Sequence, residues 1–124
     1  MDTDQFLQSV ELLAGVDRDA ARRAAQATLA TLAERIGRPA AAELADDLPD
    51  DLPDELRGAL TGGPDAADPF DATEFARRTA AREEVEPAWG RDHATAVLAT
   101  LREDVAGLQE LRDRLPADYR PLFG

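Results

Sequence analysis

The sequence predicts an all-α fold, a compact helical domain built from two similar halves packed together. Three observations carry that expectation. Apolar residues recur at intervals of three and four across most of the chain. Helix-capping side chains stand in front of those segments, and glycine or proline stands between them. Finally, the pattern of the first half begins again in the second, with conserved spacing.

The first helix is expected to run to Ala14. Asp2 and Gln5 are spaced as a capping box, Met1 and Phe6 as its hydrophobic staple, and Phe6, Val10 and Leu13 form the apolar stripe. Gly15-Val16 breaks the helix and Asp17 caps the next. Arg18 to Ile36 is the longest regular segment, with Ala21, Ala25, Thr28, Leu29 and Leu32 on or beside one face. Pro39 fits the first turn of a third helix carrying Leu44 and Leu48. The duplicated Asp-Leu-Pro unit at Asp47-Leu48-Pro49 and Asp51-Leu52-Pro53 follows, and Pro53 opens a short helix with Leu56 and Leu60. Residues 61–69, TGGPDAADP, have linker composition.

Beyond the linker, Asp71 and Glu74 make a second capping box, with Phe70 and Phe75 at the staple positions. Glu86-Pro87 opens a helix expected to reach about Ala106, with Gly107 interrupting it. Leu108 and Leu111 belong to a short helix after that. Pro116 starts the last turns, anchored by Tyr119, Leu122 and Phe123.

The restart keeps its register. Phe6 matches Phe75, Val16 matches Val85, Asp17 matches Glu86, Leu29 matches Leu98, Leu32 matches Leu101 and Ile36 matches Val105, all 69 positions apart. Leu52-Pro53 to Arg57 aligns with Leu115-Pro116 to Arg120 at a separation of 63. The expected organisation is therefore one domain over 1–124. Its first repeat half covers about 2–60, a linker about 61–69, and its second half about 70–124, in a pseudo-twofold arrangement. Halves of this size bury their apolar faces poorly alone, so each needs the other.

Composition narrows the function classes. The 124 residues carry 26 acidic and 14 basic side chains for a formal charge of -12, and every basic residue is arginine. Both halves are acidic, -7 over residues 1–62 and -5 over 63–124. Nucleic acid needs a basic patch, so it is disfavoured as a partner, and so is an anionic membrane surface. Aspartate over glutamate, 25 alanines and no lysine match the proteins of salt-in halophilic archaea. On that reading the acidity adapts the surface to salt and says nothing of a substrate. There is no cysteine for a disulfide, a thiol nucleophile or a cysteine-ligated zinc. The opening MDTDQFLQ has no basic n-region and no long apolar stretch, so the expected location is cytoplasmic.

Over nearly its whole length, from about Asp2 to Gly124, the chain resembles a bacterial and archaeal family catalogued as domain of unknown function number 2267. Phe6-Leu7, the Gly15-Val16-Asp17 break and the long Ala-rich helix to Ile36 carry the resemblance. So do Leu48-Pro49, the stretch from Leu52-Pro53 to Arg57, and the close from Leu115-Pro116 to Phe123. The resemblance implies a compact all-helical protein of two similar halves. It transfers no biochemical role and no catalytic motif.

Few residues invite chemistry. His93 is the single histidine, four residues from both Trp89 and Val97 on an apolar face; a structural histidine is the favoured reading over an acid-base catalyst. Glu83, Glu84 and Glu86, and the aspartates from Asp46 to Asp54, lack the alternating ligands and glycine turn of a calcium loop. No catalytic residue, metal site or cofactor is expected. Trp89, Tyr119, Phe123 and Phe70 are either core or a partner-binding surface rimmed by Arg91 or Arg120. Arg57 and Arg120 occupy matching positions beside acids, as helix-terminal ion pairs or caps, or as a converging anion site.

The leading expectation is a soluble, non-enzymatic helical module for self-association or for docking on another protein. Its candidate contacts are Trp89, His93, Tyr119, Arg57 and Arg120. A small-ligand or cation binder using a cleft between the halves is the alternative. A helix-turn-helix regulator is third, with Arg18, Arg22, Arg78 and Arg82 as the nearest approach to an arginine stripe.

Overall fold

Three of the helix starts supply a side-chain acceptor for their free backbone N–H groups, Asp2, Asp17 and Asp71. In the computed structural model, which describes residues 2–124, Asp2 accepts from the Gln5 N–H at 2.8 Å while Gln5 accepts from the Asp2 N–H at 3.1 Å. That reciprocal capping box opens α1, Thr3–Ala14. Met1, the staple residue of the sequence reading, lies outside the described residues. Asp17 caps α2, Arg18–Ile36, through the Ala20 N–H. There follow α3, Arg38–Asp46, with proline in its first turn, and α4, Asp54–Thr61, with Pro53 at its N-cap.

Beyond the 61–69 segment lie α5, Ala72–Glu83, α6, Pro87–Arg102, α7, Ala106–Arg114, and a 3-10 helix, Ala117–Phe123. The described residues thus form eight helices and no strand. Asp71 caps α5 through the Glu74 N–H, and Phe70 packs on Phe75 with ring centroids 6.3 Å apart. Glu74 does not close the box. Its carboxylate holds Arg77 and Arg78 instead, charged donors that outbid a backbone N–H. The sixth helix also ends earlier than its apolar pattern suggests. Val105 is extended and buried, both Asp104 and Val105 N–H groups reach back to the Leu101 carbonyl, and Gly107 falls inside α7.

Packing is organised around α2 and α6, which touch each other at the centre. Helix α1 lies against α2 and α6, and α5 lies against α6 and α2. On the far side α4 covers α2 and the 3-10 helix covers α6, with α3 and α7 beside them. The core threads through all of these elements. Phe6 and Leu7 enter from α1, Leu29 and Leu32 from α2, Phe75 from α5, Leu98 and Leu101 from α6, and Tyr119 and Phe123 from the C-terminal turns. Truncating such a leucine to alanine costs about 2–5 kcal/mol. Gly90 brings α6 onto α5: a Cβ there would stand 2.5 Å from the Ala80 Cβ.

The stripe on α1 departs from expectation at its end. Phe6, Leu7 and Val10 are buried, but Leu13 is 64% exposed and Leu12 is 77% exposed. The last turn of α1 overhangs the helices it packs on, so its leucines face outward. No described helix is long and apolar enough to cross a membrane.

Candidate functional site

The overhang of α1 borders a groove of about 580 Å³. Leu13 and Ala14 of α1 form one wall. Arg91, Asp92, Thr95, Ala96 and Ala99 of α6 form the floor, and Pro121, Leu122 and Gly124 close the end. Its size lies in the range of small-molecule sites and its lining is chiefly apolar, with Arg91, Asp92 and Thr95 as the polar groups. Trp89, 54% exposed, precedes Arg91 by two residues on the same helix.

A second, smaller groove of about 330 Å³ lies between α5, α2 and α4. It is lined by Arg82, Arg23, Gln26, Ala27, Ala30 and Ala59. Those residues stand 69 positions, or 63 for Ala59, from Leu13, Asp92, Thr95, Ala96, Ala99 and Leu122 of the first groove. The two differ in what bridges their helices. Arg82 crosses from α5 to α2, pairing with Glu34 at 2.6 Å and donating to the Thr31 hydroxyl at 2.8 Å. At the corresponding place α1 offers Leu13, with no bridge to α6.

The candidate residues of the sequence reading are scattered, and most have structural work. His93 is buried at the α5–α6 corner, where its Nδ1–H donates to Glu83 at 3.1 and 3.2 Å. Burial pushes the Glu83 carboxyl above its ordinary range, opposed by His93 and by Arg23. The other ring nitrogen, Nε2, is buried without a hydrogen-bond partner among the described residues. A carboxylate-oriented imidazole is one half of a general base, and the single serine, Ser9, sits on another helix, α1. Trp89 leans on the outer side, with its ring centroid 6.2 Å from that of His93.

Tyr119 belongs to the core, not to a surface: it is 0% exposed. Its hydroxyl donates to the Phe70 carbonyl at 2.6 Å and accepts from the Arg35 Nε–H at 3.2 Å. Arg35 also donates to the same carbonyl at 2.9 Å. Burial first, then the nearby Asp118 and Asp71 charges, outweigh Arg35 and push the phenol up to about 12. Phe70 and Phe123 are buried as well, so of the four aromatics weighed as a partner surface only Trp89 faces solvent.

Arg57 is a cap. Its guanidinium donates to the Ala45 carbonyl at 3.0 Å, to the Leu48 carbonyl at 3.3 Å and to the Pro49 carbonyl, gathering carbonyls of the last turn of α3 and the segment after it. It does not pair with Asp54 or Glu55; Glu55 pairs with Arg22 of α2 instead. Arg120 is exposed on the 3-10 helix. Helix α4 touches neither α6 nor the 3-10 helix. Arg57, His93 and Arg120 therefore do not converge on one cleft, and the groove at the junction uses other residues.

The arginine stripe of the DNA-binding alternative is neutralised. Arg18 pairs with Asp4 and Glu11, Arg22 with Glu55, Arg78 with Glu74, Asp68 and Glu34, and Arg82 with Glu34. Phosphate contacts would have to break these pairs first. Glu83 is buried, while Glu84 and Glu86 are exposed, so that acidic run is not one site. Among the described residues no three histidine, aspartate or glutamate side chains are grouped to hold a metal ion.

None of the curated proteins matches the chain. A family model does, over residues 3–122 and thus across every helix start and the shared core, and the chain belongs to that family, described as "Uncharacterized conserved protein (DUF2267)".

Proposed function

We propose that this protein is a non-enzymatic helical interaction module, and that it makes contact through the groove between α1, α6 and the C-terminal turns. One observation carries the reading. Leu13 lines an apolar groove while 64% exposed, and Leu12 next to it on α1 is 77% exposed, where the corresponding groove has a charged bridge through Arg82. Exposed leucines flanking a concave apolar surface are costly in water unless something covers them. Trp89 is a further exposed apolar side chain on α6.

The same comparison supports a pseudo-twofold pair of halves. Helices α1 and α5 each have 12 residues, and both they and the starts of α2 and α6 are separated by 69 positions. Thr31 and Thr100, in register, each bond the carbonyl four residues back. The packing of α1 on α6 has its counterpart in α5 on α2. On this reading the second groove is closed by charge while the first is kept open for a partner. The overall acidity, spread over both halves, we read as adaptation to a salt-rich cytoplasm.

A photo-crosslinking residue placed at Leu13, expressed in the source cell, tests the reading. The expected result is one specific covalent adduct, absent when the same residue replaces Gln26 in the second groove. No adduct at Leu13, or equal adducts at both positions, would overturn it. The groove's size also favours a second reading, a small ligand held between Leu13, Arg91 and Leu122. A rise in melting temperature with a cell metabolite extract, lost in Arg91→Ala, would support it over a protein partner.

A further inference from the structure

We infer that the groove's occupant is a second copy of this chain, seated about a twofold axis so that Arg91 of each copy meets Asp92 of the other. The inference rests on the groove being the contact surface and adds who fills it. With a formal charge of -12, two copies repel over most of their surfaces. The groove is an exception. Among its lining residues Arg91 and Asp92 are the two charged side chains, one of each sign, both exposed and neither engaged in an ion pair or hydrogen bond among the described residues. They are consecutive on α6. In an isologous interface every contact occurs twice with the roles exchanged, so a single adjacent pair of opposite charges makes two intermolecular ion pairs.

The apolar part is arranged to match. Leu12 and Leu13 project from the end of α1, and Ala96, Ala99 and Leu122 form the hollow beside them. Each copy thus offers both a knob and a recess, with the charged pair in the same lining. The second groove cannot do the same. Its charged lining residues are Arg23 and the Glu34-paired Arg82, with no acid among them, so a twofold there offers no pair of opposite charges to exchange. Self-complementarity is confined to one of two otherwise corresponding faces.

Sedimentation equilibrium of the purified chain tests this, in about 1 M KCl where the Debye length of about 3 Å suppresses general repulsion. The expected result is a reversible dimer that falls to the 13.4 kDa chain on dilution. Arg91→Glu and Asp92→Arg should each weaken association about tenfold or more, by setting like charges across the axis. The double exchange Arg91→Asp with Asp92→Arg should restore it, because the swapped pairs re-form. Circular dichroism of all three variants should match the parent, since both side chains are exposed. A chain that stays monomeric at millimolar concentration, or a double exchange no better than the single ones, would overturn the inference. If the chain is monomeric while Leu13 still cross-links to a different protein, the second copy fails and the contact surface stands. Without any cross-link, both fail.

Discussion

Gly15 and Glu84 end their helices in the same left-handed backbone conformation, with φ 69° and 62°. They lie 69 positions apart, after helices of 12 residues each. Glycine has no Cβ to crowd the following carbonyl there; glutamate does, at a cost of about 1–2 kcal/mol. The Glu84 side chain is exposed, so little is lost with it. Glu84→Gly should therefore stabilise the fold by about 0.5–1 kcal/mol, part of the relief being offset by glycine's freedom in the unfolded chain. Urea denaturation checks this, and a destabilised variant would mean the left-handed turn is held by something other than backbone geometry.

The Tyr119 hydroxyl can be followed directly because it is the single tyrosine of the chain. In the folded protein its phenolate absorbance should develop only at about pH 12, and in denaturant near the ordinary 10.0. A raised folded-state value means the buried neutral phenol favours the fold below pH 10, and that contribution is lost as pH rises through about 12. Tyr119→Phe should cost about 1 kcal/mol, since Arg35 still donates to the Phe70 carbonyl. Titration near 10 in the native chain would place the ring in solvent.

Glu83 gives the opposite lesson about burying charge. Its carboxyl is raised by desolvation in spite of His93 and Arg23. The stability it brings when protonated is complete below pH 4.5 and is lost as pH rises through its higher folded value. Glu83→Gln cannot ionise, yet its carbonyl oxygen still accepts from His93 Nδ1. The stability of the variant relative to the parent should improve as pH is raised from 4 toward 8, measured by denaturation at each pH. A relative loss over that interval would show that attraction to His93 outweighs burial.

Salt is expected to stabilise the chain. Screening falls from a Debye length of about 10 Å at 0.1 M to about 3 Å at 1 M, which removes much of the self-repulsion of a -12 surface. The exposed ion pairs weaken too, but each is worth little. The melting temperature should rise with KCl over this range. A fall would mean that the pairs of Arg78 and Arg82 matter more than the net charge.

What could be read in the sequence was what neighbours along the chain decide. The limits of α2 followed from the Asp17 cap and the glycine after Ile36, and the opening of α1 from Asp2 and Gln5. Contacts between distant residues were not legible. Arg57 has two acids within three residues, yet it donates to carbonyls at the end of α3, acceptors that any sequence would supply. Arg35 and Tyr119 meet across 84 positions. The histidine pattern marked His93 as lying on an apolar face but not Glu83 as its partner, because the two face each other across a turn between helices. The end of α1 misled for a similar reason. Leu13 continues the apolar stripe of Phe6 and Val10, and only the position of the neighbouring helices leaves it uncovered.

That uncovered turn is also where the contact surface is most directly tested, by Leu12→Gln with Leu13→Gln in a chain carrying the photo-crosslinker at Thr95. Glutamine keeps helix propensity, and surface exchanges of this kind usually shift stability by no more than about 0.5 kcal/mol each. The expected result is an unchanged thermal transition together with loss of the cross-linked adduct. Undiminished cross-linking from Thr95 in the folded double variant would contradict a contact made through Leu12 and Leu13.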